Sequence, residues 1–377
     1  MFSWKIPLYK IYTDKEDLNS ISQVIKRGTD WALGKEIDEL EQQISKYIGS
    51  RYCVTFNSGT SALHGSLIAC GIKQGDSVIV PSFTFIATPN SVLMTGAKPK
   101  FVDIEEKSLG INPDLIPSLI TKNTKAIIPI HYAGLPCKIH EIQQHTKKYD
   151  LFLIEDAAEA LGSKIKNKMV GTFGDMAIFS FAGNKVLTTG EGGCITTDSK
   201  KLYEKLKLIR SHGRADRQNY FSSMQKPVYT ILGYNWRMSS ITAALAISQL
   251  SKIEKLINLR RKNASYYSNR LKKYPFIQTP NEKPTIRNSY QLYSIKLKNN
   301  LQRDKLMKFL TKKGIMTKVF FYPVHKTPFY TKMKLNSKLP VTEKISNQIL
   351  SLPMYPGLLQ EELEFICDSI DEFMEQK

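Results

Sequence analysis

The sequence predicts an α/β protein: a large domain with a mostly parallel, mixed sheet between helices, and a smaller α+β domain towards the C-terminus. Two observations support this fold class. From about Tyr52 to Asp198, short β-branched runs alternate with helical patterns, and after Trp236 longer helical patterns replace the alternation. Alternation of strands and helices is typical of a parallel sheet covered by helices. We expect the large domain at 1–250 and the small domain at 251–377.

The large domain contains a series of short apolar runs that we interpret as strands. They are YCVTF, SVIVP, KPKFVDI, KAIIPI, LFLIED, AIFSF and GGCITTD. Helical patterns such as TSALHGSLIACG and KIHEIQQHTKKYD lie between several of them. Each run has the length of an ordinary buried strand.

The C-terminal part begins with a long predicted helix. Apolar residues recur at helical spacing in ITAALAISQLSKIEKLI, so we expect one helix from about Ser239 to Lys273, ending before Pro275. Beyond it we predict a strand in SYQLYSIKL, a helix in QRDKLMKFLTKKG, a strand in KVFFYP and a terminal helix from Gln360.

Composition excludes several classes of protein. The chain has 377 residues, of which 42% are hydrophobic, enough for a sizeable core. It has no apolar run long enough to span a bilayer, and its first residues, MFSWK, lack the apolar stretch of a signal peptide. The five cysteines lie far apart with no C-x-x-C pair, which argues against disulfides and against a zinc site. We therefore expect a cytoplasmic protein with no metal and no membrane association.

The formal net charge of +20 leaves two interpretations open. A nucleic-acid-binding protein gains affinity when its lysines neutralise phosphates, so charge alone favours that class. The lysines are nevertheless spread along the whole chain, as in KKLYEKLKLIR and FLTKKG, mostly on amphipathic helices. Solvated helix faces, with some attraction of an anionic small substrate, explain the charge better than nucleic acid does.

The first motif with chemical content is NSGTSALHGSL, which starts at Asn57. It places Gly59, Thr60 and Ser61 between a strand and a helix. Free N–H groups and hydroxyls at a helix N-terminus hold phosphate groups well. Serine and threonine are also the ordinary N-cap residues, so the motif alone does not decide between the two roles.

The motif PSFTFIAT places Phe83 and Phe85 after the strand SVIVP. Loops at the carboxyl ends of strands face the ligand in α/β folds, so either ring is a candidate to stack on a heteroaromatic cofactor. Two core phenylalanines are the alternative.

In LFLIEDAAEALGS, a buried strand runs into Glu155 and Asp156. A carboxylate buried there needs a cationic or hydrogen-bonding partner. A metal ion or a protonated pyridine nitrogen would serve, but no histidine cluster accompanies the pair.

The segment FSFAGNKVLTTGEGG completes the pattern with Lys185 and a glycine-rich turn. Glycines allow the backbone to approach a bulky ligand closely. A phosphate cradle, a stacking ring, a carboxylate and a lysine together indicate a site for pyridoxal 5′-phosphate. In that chemistry the lysine forms a Schiff base, and the carboxylate keeps the ring nitrogen protonated.

The chain also resembles the DegT/DnrJ/EryC1/StrS family of sugar aminotransferases, within the fold-type-I pyridoxal-phosphate enzymes. The resemblance extends from IPLYK at Ile6 to LSLPMYPGLLQEEL near the end of the chain. Its most specific segments are NSGTSALHGSL, PSFTFIAT, GAKPKFVDI, IEDAAEALGS, GTFGDMAIFSFAGNK and GYNWRM.

The resemblance implies roles for residues around the cofactor ring. Lys185 would be the Schiff-base lysine, and Asp156 would pair with the pyridinium nitrogen. Glu159 lies where the family has a residue near the cofactor's phenolic oxygen, and Phe85 would stack on the ring.

The resemblance also implies that Thr60, Ser61 and Ser180, beside Gly59, would hold the cofactor phosphate.

Members of the family work as homodimers with shared active sites. The segment GYNWRM resembles a loop that reaches into the neighbouring subunit's site, so Asn235 and Arg237 would act on the partner's cofactor and substrate. Trp236 stands where the family often has tyrosine, which keeps an aromatic ring there.

Two histidines lie in segments that resemble parts of the family's sugar pocket. His325, in FFYPVHKTPFY, would bind substrate, with a surface histidine beside a turn as the alternative. His131, in PIHYAG, is similarly placed, in a stretch one residue shorter than the family's form.

The function implied is transfer of an amino group from an amino acid, with L-glutamate expected, to a nucleotide-linked 4-keto-6-deoxy sugar, in amino-sugar and surface-glycan biosynthesis. The family's 3-amino-sugar branch tends to carry a PGK and an ALGDGG-like turn, whereas this chain has GNK followed by TTGEGG. A 3-keto substrate is the alternative. Lys185 argues against a sugar dehydratase, because those relatives carry histidine at that position. The nucleotide and the stereochemistry of the sugar stay open.

Overall fold

The computed structural model describes residues 4–215, 224, 226–335 and 337–376. The helices are α1 (Lys15–Arg27), α2 (Lys35–Ile48), α3 (Gly59–Ala69), α4 (Ala87–Met94), α5 (Ile116–Leu119), α6 (Ile139–Lys148), α7 (Lys200–Arg210), α8 (Ser240–Ser251), α9 (Ile253–Leu271), α10 (Asn300–Lys312), α11 (Pro328–Lys332), α12 (Pro340–Gln348) and α13 (Gln360–Glu375). The strands are β1 (Tyr52–Phe56), β2 (Ser77–Pro81), β3 (Lys98–Val102), β4 (Thr124–Ile127), β5 (Phe152–Asp156), β6 (Lys164–Ile165), β7 (Lys168–Met169), β8 (Met176–Ser180), β9 (Gly193–Thr197), β10 (Ile286–Arg287), β11 (Tyr293–Lys296) and β12 (Ile349–Leu352).

The seven predicted strands of the large domain form one 7-stranded sheet in the order β1-β9-β8-β5-β4-β2-β3. Strand β9 runs antiparallel to β1 and β8, whereas β2, β3, β4, β5 and β8 pair in parallel. The prediction of a mostly parallel, mixed sheet is confirmed.

Helices bury both faces of this sheet, which explains why its strands are nearly continuous apolar runs. Along β8, Ile178 packs in a cluster with residues of α3 and α7. Its neighbours Ala177 and Phe179 point to the other face and pack with residues of α2 and α8. Successive residues of a strand thus serve two different cores.

The C-terminal part has its own apolar cluster, built around α9, α10 and α13. Strands β11 and β12 form an antiparallel two-stranded sheet against it. An α+β C-terminal part is therefore present, whereas the division into 1–250 and 251–377 stays a prediction.

The long helix predicted for 239–273 is in fact two helices, α8 and α9, separated at Lys252. Lys252 has φ −107° and ψ 10°, outside helical geometry. Its buried ammonium group pairs with Asp14 (2.6 Å) and Asp17 (3.0 Å) of the N-terminal region. Apolar periodicity continues across the break, so a local pattern carries no sign of these distant ion pairs.

The strand predicted in KVFFYP is also wrong. Lys318 forms only an isolated bridge with Ser351, and the strand beside β11 is β12. The hydroxyl of Tyr132 donates to the backbone oxygen of Phe320 at 2.6 Å, so a side chain takes the place of a strand partner. In the part of the chain that the structure describes, no helix has the length and apolar character needed to cross a membrane.

Candidate functional site

A cavity of about 440 Å³ opens at the carboxyl ends of β2, β5 and β8 and at the N-terminus of α3. Ligands bind at this edge of the sheet in α/β folds. The predicted site residues that line it are Gly59, Thr60, Phe85, Asp156, Glu159, Ser180 and Lys185. Residues far apart in the sequence thus meet at one site because their strands end at the same edge.

Asp156 is the last residue of β5 and is buried against the cavity wall. Its Oδ2 accepts a hydrogen bond from the hydroxyl of Thr88 at 2.7 Å, and its Oδ1 accepts one from the N–H of Ala158 at 3.2 Å. The Thr88 hydroxyl lies 2.8 Å from that of Thr84, which orients it. Burial raises the pKa of the Asp156 carboxyl, although both hydrogen bonds act in the opposite direction. The carboxyl is thus held in place by these two hydrogen bonds.

The neighbouring carboxylate, Glu155, has a different role. Its oxygens accept backbone hydrogen bonds from Gly171 (2.9 Å), Phe173 (2.7 Å) and Gly174 (2.8 Å), and it also contacts His131. Strand alternation turns it away from the cavity that Asp156 faces. Of the two acidic residues at the strand end, only Asp156 is available to a ligand.

Lys185 and Glu159 form the ionic pair of the cavity. The Nζ atom of Lys185 lies 3.5 Å from Oε1 of Glu159, and both side chains are mostly buried. The second oxygen of Glu159 accepts a hydrogen bond from the N–H of Ala133 at 2.8 Å. The lysine amine is therefore held towards the cavity by a carboxylate that is itself fixed to the backbone.

The N-terminus of α3 forms one wall of the cavity. Ser58 is the N-cap residue and accepts a hydrogen bond from the N–H of Ser61. The first N–H groups of a helix have no partner inside the helix, so those of Gly59 and Thr60 are available to a ligand. A Cβ on Gly59 would lie 3.0 Å from Cβ of Ser180, so a larger residue here would require Ser180 to shift by a few tenths of an ångström.

Ser61 takes part in capping helix α3. Its hydroxyl donates to Oδ1 of Asn57 at 2.7 Å and contacts that of Ser58 at 3.0 Å, as part of a capping box. Ser61 is not among the residues that line the cavity. Thr60 faces the cavity, whereas a phosphate-binding role for Ser61 stays a prediction.

The two phenylalanines of PSFTFIAT have opposite environments. Phe83 is fully buried in a cluster with Tyr132 and Phe321. Phe85 is 61% exposed and lines the cavity. Only Phe85 is placed to stack on a bound ring.

His131 lies in the cavity wall but is fully buried. Its Nδ1 accepts a hydrogen bond from the N–H of Cys137 at 3.2 Å, so Nε2 carries the proton and donates to Glu155 at 3.1 Å. This pairing fixes the imidazole against the wall beside Asp156.

His325 is not among the residues that line this cavity, and its role in substrate binding stays a prediction. Its Nδ1 lies 2.6 Å from the hydroxyl of Ser82, and its Nε2 lies 3.2 Å from Oε1 of Glu343. Both ring nitrogens are therefore used within the protein. Burial lowers the pKa of His325, and the Glu343 carboxylate partly offsets this.

Asn235 and Arg237 do not line the Lys185 cavity of their own chain. Asn235 is exposed, and Arg237 donates to the hydroxyl of Ser211 at 3.3 Å. Arg237 borders a separate cavity of about 780 Å³ together with Arg210 and Arg214. Burial lowers the pKa of the Arg237 guanidinium, and the two neighbouring arginines lower it further.

One wall of the cavity was not predicted from the sequence. Tyr9, Met316, Lys318 and Phe320 also line the cavity. The signal was present in KVFFYP, which was interpreted as a strand.

These groups fit the expected pyridoxal 5′-phosphate. The tight Gly59–Ser180 approach and the open helix N-terminus suit a phosphate, the buried Asp156 suits a cationic ring nitrogen, and Lys185 suits an aldehyde. Over the described ranges, no group of 3 or more His, Cys, Asp or Glu side chains is arranged to hold a metal ion.

Comparisons with known proteins agree with this site. The model of the DegT/DnrJ/EryC1/StrS aminotransferase family matches residues 12–371. GDP-perosamine synthase of Escherichia coli O157:H7 is 36% identical over 372 residues, which cover 99% of each chain.

Solved structures superpose along the whole chain. PseC of Helicobacter pylori, an aminotransferase involved in the biosynthesis of pseudoaminic acid, superposes with a TM-score of 0.91 at 29% identity, over 100% of both chains. A DegT DnrJ EryC1 StrS aminotransferase of Brucella abortus superposes with a TM-score of 0.86 at 32% identity, over 95% of both chains. The chain therefore belongs to the DegT/DnrJ/EryC1/StrS aminotransferase family, whose members depend on pyridoxal 5′-phosphate.

Proposed function

We propose that this aminotransferase transfers an amino group from an amino acid, with L-glutamate as the expected donor, to a nucleotide-linked 4-keto-6-deoxy sugar. The product would enter amino-sugar and surface-glycan biosynthesis in the cytoplasm. The observation that carries the proposal is the convergence of Lys185, Asp156 and the open N-terminus of α3 on one cavity. The similarity to GDP-perosamine synthase supports the sugar substrate.

When bound, pyridoxal 5′-phosphate supplies an aldehyde that bonds reversibly to amines and a ring that accepts electron density. Lys185 would attach the cofactor through Nζ and then, once displaced by the donor amine, move a proton between the substrate carbon and the cofactor. Its Nζ lies 3.5 Å from Oε1 of Glu159, a contact that orients the amine in the cavity.

Asp156 would keep the ring nitrogen protonated. The buried carboxyl accepts hydrogen bonds from Thr88 and Ala158, and a cation placed against it would gain a charge-assisted hydrogen bond. Phe85 would cover the ring, and the N–H groups of Gly59 and Thr60, with Ser180, would bind the phosphate.

We also propose that the enzyme is a homodimer with shared sites. Asn235 is exposed and does not line its own chain's cavity, as expected of a residue that completes the partner's site. Arg237 would bind the partner's anionic substrate. The backbone oxygen of Trp236 accepts a hydrogen bond from Asn57 at 2.9 Å, which anchors this loop to the residues just before α3.

Subunit mixing tests the shared site. Lys185→Ala and Asn235→Ala homodimers are each expected to be inactive. A heterodimer of the two has one site with both residues intact, so mixing should restore activity in those heterodimers that form. No recovery despite proven subunit exchange would remove Asn235 from the partner's site.

The substrate is tested by product analysis. The TTGEGG turn lies beside Lys185, and a displacement of about 1 Å at the reacting atoms costs on the order of a hundredfold in rate. We expect mass spectrometry to detect amination of a 4-keto-6-deoxy nucleotide sugar when glutamate and a panel of nucleotide keto-sugars are offered. An equal or higher kcat/KM with a 3-keto isomer would contradict the proposed regiochemistry.

A further inference from the structure

A buried glutamine contacts the backbone directly beside Lys185. The Nε2 atom of Gln291 donates to the backbone oxygen of Asn184 at 2.5 Å. Gln291 is only 2% exposed and precedes β11, more than a hundred residues further along the chain. Because only the NH₂ end of the amide can pair with a carbonyl, the orientation of the side chain is unambiguous.

This contact closes a ring of interactions around the lysine amine. The N–H of Leu292 donates to the oxygen of Ala133 at 3.5 Å. The N–H of Ala133 donates to Glu159 at 2.8 Å, and Glu159 lies 3.5 Å from Nζ of Lys185. The segment that carries Gln291 therefore contacts the backbone of Asn184, directly before Lys185. It also contacts Ala133, the residue that donates to Glu159.

The segment itself is firmly held. The buried guanidinium of Arg260 donates through Nη1 to the backbone oxygens of Tyr290 (3.3 Å), Gln291 (3.2 Å) and Met354 (3.1 Å). Tyr290 has φ 49°, in the left-handed region, and its N–H donates to Oδ1 of Asn288 at 2.7 Å. A non-glycine residue in this conformation persists only where its surroundings impose it.

Stability alone does not explain a glutamine at this position. Its Oε1 accepts no hydrogen bond from any residue that the structure describes. A buried acceptor left unpaired destabilises the fold, and an apolar side chain of similar size would avoid that cost. The hydrogen bond from the amide to Asn184 is the interaction that offsets this cost.

We propose that Gln291 is a positioning residue that sets the place of Lys185 relative to Glu159. It does so through the backbone of Asn184, and it does not itself touch substrate or cofactor. The inference rests on the proposed role of Lys185 as the catalytic lysine.

The test uses Gln291→Leu and Gln291→Met in the full chain, two substitutions that keep the volume and remove the donor. The matched control is Gln143→Leu, because Gln143 also donates to a backbone oxygen, that of Phe173 at 2.6 Å. The first readout needs no cofactor: reductive methylation of the apo-protein, with the modification of Lys185 measured by mass spectrometry relative to the exposed Lys200.

We expect the Lys185 to Lys200 labelling ratio to rise about threefold in both Gln291 variants, because the amine is no longer held against its carboxylate. With cofactor, kcat should fall by about tenfold to a hundredfold, while KM for the keto-sugar stays within about twofold. Gln143→Leu should leave both quantities unchanged.

A labelling ratio and a kcat that both match wild type in Gln291→Leu or Gln291→Met would overturn the proposal, as would equal effects in Gln143→Leu. The test separates this failure from failure of the proposed function. If wild-type protein forms no borohydride-stable adduct at Lys185, the proposed function fails, whereas the labelling ratio of the apo-protein still tests the role of Gln291.

Discussion

Replacing Asp156 with asparagine should change stability and turnover in opposite directions. Burial raises the pKa of the Asp156 carboxyl, so the folded apo-protein binds this proton more tightly than the unfolded chain does. The stability that such a group contributes falls as pH rises above 3.8, the ordinary pKa of an aspartate carboxyl. Asparagine buries no charge, so apo Asp156→Asn should have a higher Tm than the wild-type apo-protein at neutral pH, and the difference should shrink on acidification.

Turnover should fall because the cationic ring nitrogen loses its buried partner. Removing one member of a buried ion pair costs about 3–5 kcal/mol, and each 1.36 kcal/mol is about tenfold in rate. We therefore expect kcat to fall by roughly 10²–10⁴-fold. The amide can keep the bond from Ala158 and can donate to Thr88, so the fold should be preserved.

Two assays check this pair of effects: differential scanning calorimetry of the apo-proteins across pH, and single-turnover kinetics of the cofactor-loaded enzymes. Reduction with borohydride should still attach cofactor to Lys185 in Asp156→Asn. Wild-type turnover in the variant would remove Asp156 from the reaction. A lower Tm of the apo variant at neutral pH would show that the ionised Asp156 carboxyl does not destabilise the folded protein.

Two further substitutions test the walls of the site. Gly59→Ala places a Cβ about 3.0 Å from that of Ser180. The Kd for pyridoxal 5′-phosphate, measured by fluorescence titration, should therefore rise about tenfold. As a control, Gly357→Ala should leave this Kd unchanged, because the new Cβ meets nothing within 4 Å among the described residues. His325→Ala should lower Tm and leave KM for the keto-sugar unaltered. Burial lowers the pKa of His325, so its contribution to stability is complete above pH 6.5, the ordinary pKa of histidine. The Tm difference between wild type and His325→Ala should therefore become smaller as pH falls below 6.5. A raised KM with an unchanged Tm would show instead that His325 binds substrate.

The parts of the fold that depend on local pattern were predictable from sequence. Most strands of the large sheet are nearly continuous apolar runs, because both faces of the sheet are covered. Asp156 and Lys185 follow strands whose carboxyl ends meet at one edge, so their proximity follows from topology.

Side-chain direction at the ends of these runs was not predictable. Glu155 and Asp156 are adjacent acidic residues, and only the pleat decides which one faces the cavity. Phe83 and Phe85 share a loop but differ in burial, and in a loop no regular alternation predicts which ring is exposed.

Contacts between distant segments were also beyond local pattern. Lys252 breaks a periodic helix because it pairs with Asp14 and Asp17. His325 is buried because Ser82 and Glu343 take both ring nitrogens. Partners so far apart in sequence leave no trace in spacing or composition.

Borohydride reduction followed by peptide mapping tests most directly whether Lys185 carries the cofactor. Purified protein loaded with pyridoxal 5′-phosphate should be yellow, and reduction should fix the cofactor to the peptide that contains Lys185. In Lys185→Ala this adduct should be absent. An adduct on another lysine, or one that persists in Lys185→Ala, would contradict the assignment of the site.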